Sequence, residues 1–333
     1  MAANDHAMRS VTVLLLALWM YSGFAQEASL KLTHTIPMNG VRGRFDHFAI
    51  DAKGQRLFVA ALGNNSLEVI DLAAGKRIQS VPGMSKPTGV LYVPEAKQVL
   101  VANGDDGTLK ILDGADFKVL KNITALDDAD NLRFDSKSQL AWLGYSDGAL
   151  EVVDTATAKH VASVKLAKHP ESFQLEQNGS RIFVNIPDAK QVTVVDREKR
   201  AVIATWPMEK FQANFPMALD EPNHRLFIGC RKPARLVVLD TGTGKPVADL
   251  AISGDIDDLF YDAIRTQLYL SCGEGFIDVI RQSGPDKYEL RERIPTRQGA
   301  RTGFFSADLN QFCLAVPPRG DQSAELRIFN VQK

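Results

Sequence analysis

The sequence has little cysteine and no excess of charge of either sign. Its 333 residues include 39 Lys and Arg against 40 Asp and Glu, and no Lys- or Arg-rich run is present. Nucleic-acid-binding domains normally carry a basic patch, so we expect no nucleic-acid partner. An oxidising compartment would permit one disulfide and one free thiol, but all three cysteines lie in apolar strand patterns that also fit buried free thiols. These are Cys230, Cys272 and Cys313.

The chain also lacks the short motifs of several common enzyme classes. It has no G-x-S-x-G elbow, no P-loop, no G-x-G-x-x-G that opens a helix, no H-E-x-x-H and no C-x-x-C-H. These absences argue against a standard serine hydrolase, a nucleotide enzyme and a cytochrome.

Long apolar runs are missing except near the N-terminus. Arg9 precedes an apolar run at residues 11–20, which is too short to span a bilayer comfortably, and Gly23 and Ala25 place small residues before a cut at Gln26. We therefore predict a signal peptide at residues 1–25 and one domain at residues 26–333. The mature protein is expected to be periplasmic or secreted, without stable membrane insertion, and monomeric. An uncleaved anchor is the alternative.

What the sequence does contain is a repeat. Apolar strings that usually end in an acid recur along the chain at intervals of 41 to 44 residues, with a last interval of 49. A period near this length marks a repeat architecture. The strings are EVID ending at Asp71, KILD at Asp113, EVVD at Asp154, TVVD at Asp196, VVLD at Asp240, DVIR at Arg281 and RIFN at Asn330.

Further apolar strings keep the same period, and turn residues such as Asn178-Gly179 separate them. Each period therefore contains about four strands and no convincing helix, which is the content of one blade of a β-propeller. We predict an all-β, seven-bladed propeller with four antiparallel strands per blade. The last period has only three strands, so residues 30–37 are expected to complete the seventh blade and close the ring. A six-bladed ring with an extra sheet is the alternative.

Two segments carry a family resemblance. Residues 46–83 and 181–206 contain an apolar inner strand, a glycine turn, an L-F-V-A-like strand, a loop and a V-I-D-like turn. In this pattern the chain resembles the YVTN, or YncE-like, propeller repeat over about residues 30–333. The resemblance implies the fold and says little of function, because propellers serve many roles. It is weaker in the sixth repeat, which has Arg281 in place of the acid and an insertion near residues 283–290, and weakest in the seventh.

In a propeller, the loops that precede the inner strands open onto one end of the central channel. Here they contain acids, imidazoles, amides and a guanidinium, so we predict a ligand site at this mouth. The predicted metal ligands are Asp46, Asp130, Glu171 and Asp257. The predicted catalytic groups are His47, His169 and Arg301. The predicted substrate-binding groups are Asn131, Asn214, Asp258, Arg231 and Glu274.

Each of these residues also has a structural alternative. The acids can accept backbone N–H bonds in tight loops, the histidines can be buried in satisfied sites, and Arg301 can neutralise a neighbouring acid. Since neighbouring strand residues point to opposite faces, one of Asp257 and Asp258 is expected to face solvent. We nevertheless predict a ligand site, because these residues occur at equivalent positions of a ring and should meet at one end of the channel.

Two functions fit this mouth. The first is binding of a small molecule, a peptide or an envelope partner. The second is a hydrolase, lactonase or lyase assisted by a divalent metal, with oxygen ligands suiting Ca²⁺ or Mg²⁺ and added imidazoles suiting Zn²⁺. Whether the protein is an enzyme is left open by the sequence.

Overall fold

A computed structural model describes residues 28–332 and places them in seven antiparallel sheets of four strands each. The predicted signal peptide lies outside the described residues. The inner strands are β2 (Phe48–Asp51), β6 (Pro87–Val93), β10 (Leu132–Asp135), β14 (Phe173–Leu175), β18 (Gln212–Asp220), β22 (Ile256–Asp262) and β26 (Thr302–Ser306). The second strands are β3 (Arg56–Ala61), β7 (Gln98–Asn103), β11 (Leu140–Tyr145), β15 (Arg181–Ile186), β19 (Arg225–Lys232), β23 (Gln267–Cys272) and β27 (Gln311–Val316).

Two further strands complete each blade. The third strands are β4 (Ser66–Asp71), β8 (Thr108–Asp113), β12 (Ala149–Asp154), β16 (Gln191–Asp196), β20 (Ala234–Asp240), β24 (Phe276–Gly284) and β28 (Glu325–Val331). The outer strands are β5 (Lys76–Pro82), β9 (Val119–Ile123), β13 (Lys159–Lys165), β17 (Ala201–Pro207), β21 (Pro246–Ala251), β25 (Lys287–Pro295) and β1 (Leu30–Pro37). Blades are numbered here by their inner strands in chain order. The predicted seven-bladed, all-β propeller is therefore confirmed.

The ring closes as the sequence predicts. Strand β1 pairs antiparallel with β28, so the seventh sheet has the order β26, β27, β28, β1 and joins the two ends of the described chain. The insertion expected near residues 283–290 lengthens the β24–β25 hairpin of blade 6. The only helical pieces in residues 28–332 are two 3₁₀ turns, Leu62–Asn64 and Pro187–Ala189. Neither has the length and apolar character needed to cross a bilayer.

Seven hydrophobic clusters lie between neighbouring blades and form the core. The second and third strands of each blade are buried on both faces because a neighbouring blade covers each side, and this accounts for their nearly continuous apolar strings. Outer strands are mostly exposed or half-buried, with one or two buried residues at most. All three cysteines are buried and form no disulfide, which agrees with the interpretation of buried free thiols. They are Cys230, Cys272 and Cys313.

The acid that recurs at the end of most third strands has a structural role. In Asp113, Asp154, Asp196 and Asp240, one carboxylate oxygen accepts the backbone N–H groups of the residues two and three positions later. Such a bond fixes the turn into the outer strand, as Asp side chains commonly do. The repeat that identified the fold is thus a turn signal and not part of a site.

Closure of the ring can be tested within β1 alone. Ile36 is 2% exposed and packs between blades 7 and 1, whereas Leu32 on the same strand is 48% exposed. We expect Ile36→Ala to lower the free energy of unfolding by about 2–5 kcal/mol, through lost apolar burial and a cavity. Leu32→Ala, the matched control, should change it by less than about 0.5 kcal/mol. Chemical denaturation measures both, and equal losses would contradict the role of β1 in closure.

Candidate functional site

Equivalent positions of the seven blades form rings around the channel. Counting starts from the residue that closes each inner-strand motif: Asp51, Val93, Asp135, Glu176, Asp220, Asp262 and Ser306. The fifth residue before each of these forms what we call the mouth ring: Asp46, Thr88, Asp130, Glu171, Phe215, Asp257 and Arg301. All seven mouth-ring residues line one cavity of about 230 Å³. Residues from every blade therefore meet at one end of the channel, as predicted.

Backbone and side-chain bonds between neighbouring blades hold the mouth ring in place. The His47 amide donates to the Thr88 carbonyl at 3.2 Å, and the Thr88 hydroxyl donates to the Ala129 carbonyl at 2.6 Å. On the closing side, the Thr302 hydroxyl donates to the Phe45 carbonyl at 3.3 Å. These bonds fix the relative positions of loops that belong to different sheets.

One half of the cavity combines acids with imidazoles. His47 Nε2 lies 3.6 Å from Asp46 Oδ1 and 3.9 Å from Asp130 Oδ1, and His169 Nε2 lies 3.7 Å from Asp130 Oδ2. Asp130 is therefore placed between two histidines. One potential ligand atom from each of Asp46, His47 and Asp130 lies within 4.8 Å of the others, a spacing compatible with a single metal ion.

His169 is held by the backbone. Its Nδ1 contacts the Ser146 carbonyl at 2.7 Å, which leaves Nε2 toward Asp130. Burial lowers the pKa of His169, but the Asp130 carboxylate and the Ser146 carbonyl outweigh burial and raise that pKa to about 9. His169 is accordingly a cation at neutral pH, and it can donate a proton to a bound group.

The acids of this half respond to burial in two ways. Burial, with a contribution from neighbouring carboxylates, raises the pKa of Asp46 to about 7 and that of Glu171 to about 8. Burial also acts to raise the pKa of Asp130, but His169 and His47 outweigh it and hold that pKa below its usual value. Asp130 is thus the acid of this half that favours its ionised form, and Asp46 and Glu171 exchange protons near neutral pH.

The other half of the cavity carries two arginines. Arg301 Nε lies 3.0 Å from Asp257 Oδ2, and its Nη1 lies 2.8 Å from Asp255 Oδ1. Arg231 also contacts Asp257, and its guanidinium lies over the Phe215 ring, 3.8 Å from the centroid. Arg301 therefore neutralises neighbouring acids, which was the structural alternative to a catalytic role. The mouth is divided into an acidic half, in which Arg44 Nη2 also donates to Asp46 Oδ2 at 3.1 Å, and a half in which arginines neutralise the acids.

Asp258 and Asn131 lie one residue deeper than the mouth ring. Adjacent Asp257 and Asp258 both reach the channel because the pairing of β22 with β23 shifts register between Ile256 and Asp258. This differs from the expectation that one of the two acids faces solvent. Asp258 Oδ2 accepts the Gly303 N–H at 2.8 Å, and Oδ1 lies 3.9 Å from His47 Nδ1.

Two predicted substrate-binding residues are not brought into the cavity. Asn214 is fully buried and donates to the Asn185 side chain at 2.8 Å and to the Gln191 carbonyl at 3.0 Å. Glu274, in the turn after β23, accepts the Gly254 N–H at 2.6 Å within its own blade. Asn214 thus connects blade 5 to blade 4, and Glu274 fixes the loop that enters β22.

Several cavity residues were not in the predicted set. Thr88 and Phe215 lie five residues before their closing residues, and Ser172 lies four before its own. This fixed spacing in the sequence could have identified them as cavity residues. Arg44, Lys86 and Asp128 also line the cavity, and each lies seven residues before its closing residue, as His169 does. Asp128 is exposed at the edge, 3.7 Å from Lys86 Nζ and 3.7 Å from His169 Nδ1.

Comparisons with known proteins support the fold. The chain is similar to a solved structure of hydrazine synthase from Kuenenia stuttgartiensis, with a TM-score of 0.72 and 16% identity over 84% of this chain and 95% of that one. It is also similar to a chain in a crystal structure of the mitotic checkpoint complex, with a TM-score of 0.78 and 13% identity over 98% and 99% of the two chains. At these identities the similarity establishes a propeller fold and no ligand or reaction.

Comparisons of the sequence do not assign the chain to a protein family. No protein-family model matches the chain. No curated protein matches it. The resemblance to the YVTN repeat therefore stays a prediction.

The raised pKa of Glu171 gives a test of the acidic half. A carboxyl whose folded pKa is raised lowers stability as pH rises from its ordinary value toward about 8, because unfolding allows it to ionise. We expect Glu171→Gln to raise Tm above the wild-type value at pH 9 by about 2 °C or more, and to leave Tm unchanged at about pH 4. The exposed Glu209→Gln is the control. Thermal scans across pH measure this, and parallel curves for wild type and E171Q would contradict the burial of this acid.

Proposed function

We propose that this protein works outside the cytoplasm as a binding propeller, and that it holds a small basic ligand at its channel mouth. The observation that carries the proposal is the convergence of all seven mouth-ring positions on one cavity with a distinct acidic half. Asp46, Asp130 and Glu171 offer carboxylate oxygens in this half, and Arg44 and His169 are the cations beside them. An ammonium group that neutralises Asp46, Asp130 and Glu171 fits this half best.

The protonation of the cavity supports a cationic ligand. Asp46 and Glu171 hold protons near neutral pH because burial makes their ionised forms unfavourable. A bound cation would stabilise the ionised forms and displace those protons. Binding should therefore release protons and tighten as pH rises, as long as the ligand stays charged.

The location belongs to the same proposal. It is supported by the sequence pattern of residues 1–25, with an arginine, a short apolar run and small residues before the cut. The resemblance to the YVTN repeat, with its recurrent strand and turn pattern, supports membership of that propeller family. The near-equal numbers of acids and bases argue against nucleic acid as the partner.

A diamine gives the first test. We expect 1,4-diaminobutane, titrated calorimetrically in the presence of a chelator, to bind more tightly at about pH 8.5 than at about pH 6 and to release protons. Asp130→Asn should weaken binding by about tenfold or more, because the acid between the two histidines loses its charge. Asp147→Asn, at an exposed turn outside the mouth cavity, is the matched control. Equal affinity of wild type and D130N would remove the proposed site.

A specific observation favours one alternative, a metal-assisted hydrolase, lactonase or lyase. Asp46, His47 and Asp130 can offer one imidazole and two carboxylate ligands to one ion. This mixed donor set suits Zn²⁺ or Mn²⁺ better than Ca²⁺ or Mg²⁺. A bound ion would polarise a carbonyl group. In this arrangement His47 binds the ion, His169 is the general acid, and Arg301 is already paired with two carboxylates.

Metal titration decides between these two functions. For the enzyme, Zn²⁺ or Mn²⁺ should raise Tm in the wild type and in D147N, and Asp46→Asn and Asp130→Asn should abolish that rise. Chelation should reverse it. A small lactone such as γ-butyrolactone should then be hydrolysed by the metal-loaded wild type and not by His169→Gln. No metal-dependent rise in Tm would exclude the alternative and leave the binding role.

A further inference from the structure

The channel contains a second cavity, of about 310 Å³, beyond the mouth. His47 and Asn131 line both cavities, so these two residues separate them. The position two residues before each closing residue forms what we call the inner ring: Ala49, Leu91, Arg133, Gln174, Ala218, Phe260 and Phe304. All of these except Ala218 line the second cavity. The second cavity is thus built by the same repeat, one layer deeper.

The walls of this cavity are largely apolar. Leu91, Phe260 and Phe304 line it and are only half-buried, and Ile50 adds to the same surface. The Phe260 and Phe304 rings meet edge to face with centroids 5.8 Å apart, so they form one rigid aromatic surface. Apolar surface left open in a cavity favours a ligand with an apolar body.

Arg133 places a guanidinium in the inner ring without a direct counterion. Within residues 28–332, no carboxylate lies within the 4.0 Å ion-pair distance of Arg133. Its Nη1 donates to the Leu132 carbonyl at 2.8 Å and to Asn131 Oδ1 at 3.2 Å. Its Nε and Nη2 have no acceptor among the described residues. Arg133 is half-buried, and its guanidinium lies over the Phe173 ring, 5.4 Å from the centroid. An anion in this cavity would therefore meet a partly desolvated cation that has no carboxylate in contact with it.

Asp258 also lines this cavity, but it lies outside ion-pair distance of Arg133 and does not take the place of an anion. Asp258 and Asp130 act on Arg133 only from beyond contact distance. Asp258 accepts the Gly303 N–H at 2.8 Å and faces His47, and Asp130 lies between the two histidines of the mouth. The free donors of Arg133 therefore remain available to a ligand. A guanidinium offers two parallel N–H donors that match the geometry of a carboxylate.

We propose that the second cavity binds a small organic carboxylate with an aromatic or branched apolar body. The carboxylate accepts hydrogen bonds from Nε and Nη2 of Arg133, and the apolar body packs against Leu91, Phe260 and Phe304. Inorganic phosphate satisfies the arginine but leaves the aromatic wall uncovered, so it is not the expected ligand. This site is distinct from the mouth site and does not depend on the proposed function.

Benzoate is the probe, and calorimetry at low ionic strength is the measurement. We expect benzoate to bind the wild-type protein and Arg133→Gln to weaken binding by about tenfold or more, since a hydrogen-bonded charge pair is lost. Benzyl alcohol, which keeps the ring without the charge, should bind more weakly than benzoate, as should phosphate. Arg281→Gln, which changes a 53% exposed arginine on blade 6, is the matched control and should bind benzoate like the wild type.

A second variant covers the case in which R133Q folds poorly. Leu91→Trp retains Arg133 but fills the cavity, and it should abolish benzoate binding while the far-ultraviolet circular dichroism stays that of the wild type. Asp130→Asn should bind benzoate within about twofold of the wild type even though it loses the diamine. Absence of benzoate binding to the wild type, equal binding by wild type and folded R133Q, or loss of benzoate binding in D130N would each overturn the assignment. Loss of diamine binding alone concerns the mouth site.

Discussion

The pairing of β1 with β28 is the contact on which the rest of this structure depends. It supplies the fourth strand of blade 7 and connects the two ends of the described chain, with a register that runs from Leu30 opposite Val331 to Pro37 opposite Glu325. Without this last pairing, blade 7 would have only three strands and β28 would be an open edge where the ends of the chain meet. Asp46 and Arg301, which lie far apart along the chain, share one cavity because of it.

Burial of charge is the second constraint, and it arises from the first. Closing the ring brings acids from blades 1, 3, 4 and 6 into one narrow mouth with limited access to water. The structure balances them in two ways: Asp257 is paired with arginines, and Asp130 with histidines. Asp46 accepts a hydrogen bond from Arg44 at 3.1 Å, and Glu171 has no ion-pair partner within residues 28–332. Burial raises the pKa of both acids to values near the physiological range. Groups of this kind concentrate at functional sites, although ion-pair networks also produce them.

The fold could be predicted from the sequence in some detail, and the site only in part. Apolar strings at a regular period predicted four strands per blade, and the strand missing at the C-terminus predicted the role of residues 30–37. The mouth ring was largely predicted, because equivalent loops of a propeller open on the same side. Asn214 was placed in the site by the same reasoning, and Glu274 by its rim loop, but Asn214 donates to blade 4 and Glu274 accepts the Gly254 N–H. Sequence spacing locates a loop and does not orient its side chains.

The sequence by itself determined the blade, since a repeated alternation of apolar strings and turn residues can bury its surface only by packing against copies of itself. It also determined which residue types stand at each level of the channel. Tertiary structure alone decided which charges are paired and which are free. Arg301 and Arg231 meet acids of blade 6, whereas Arg133 meets none at contact distance within residues 28–332. These outcomes depend on distances of a few ångströms between blades, and electrostatic energy at such distances is not encoded in spacing along one chain.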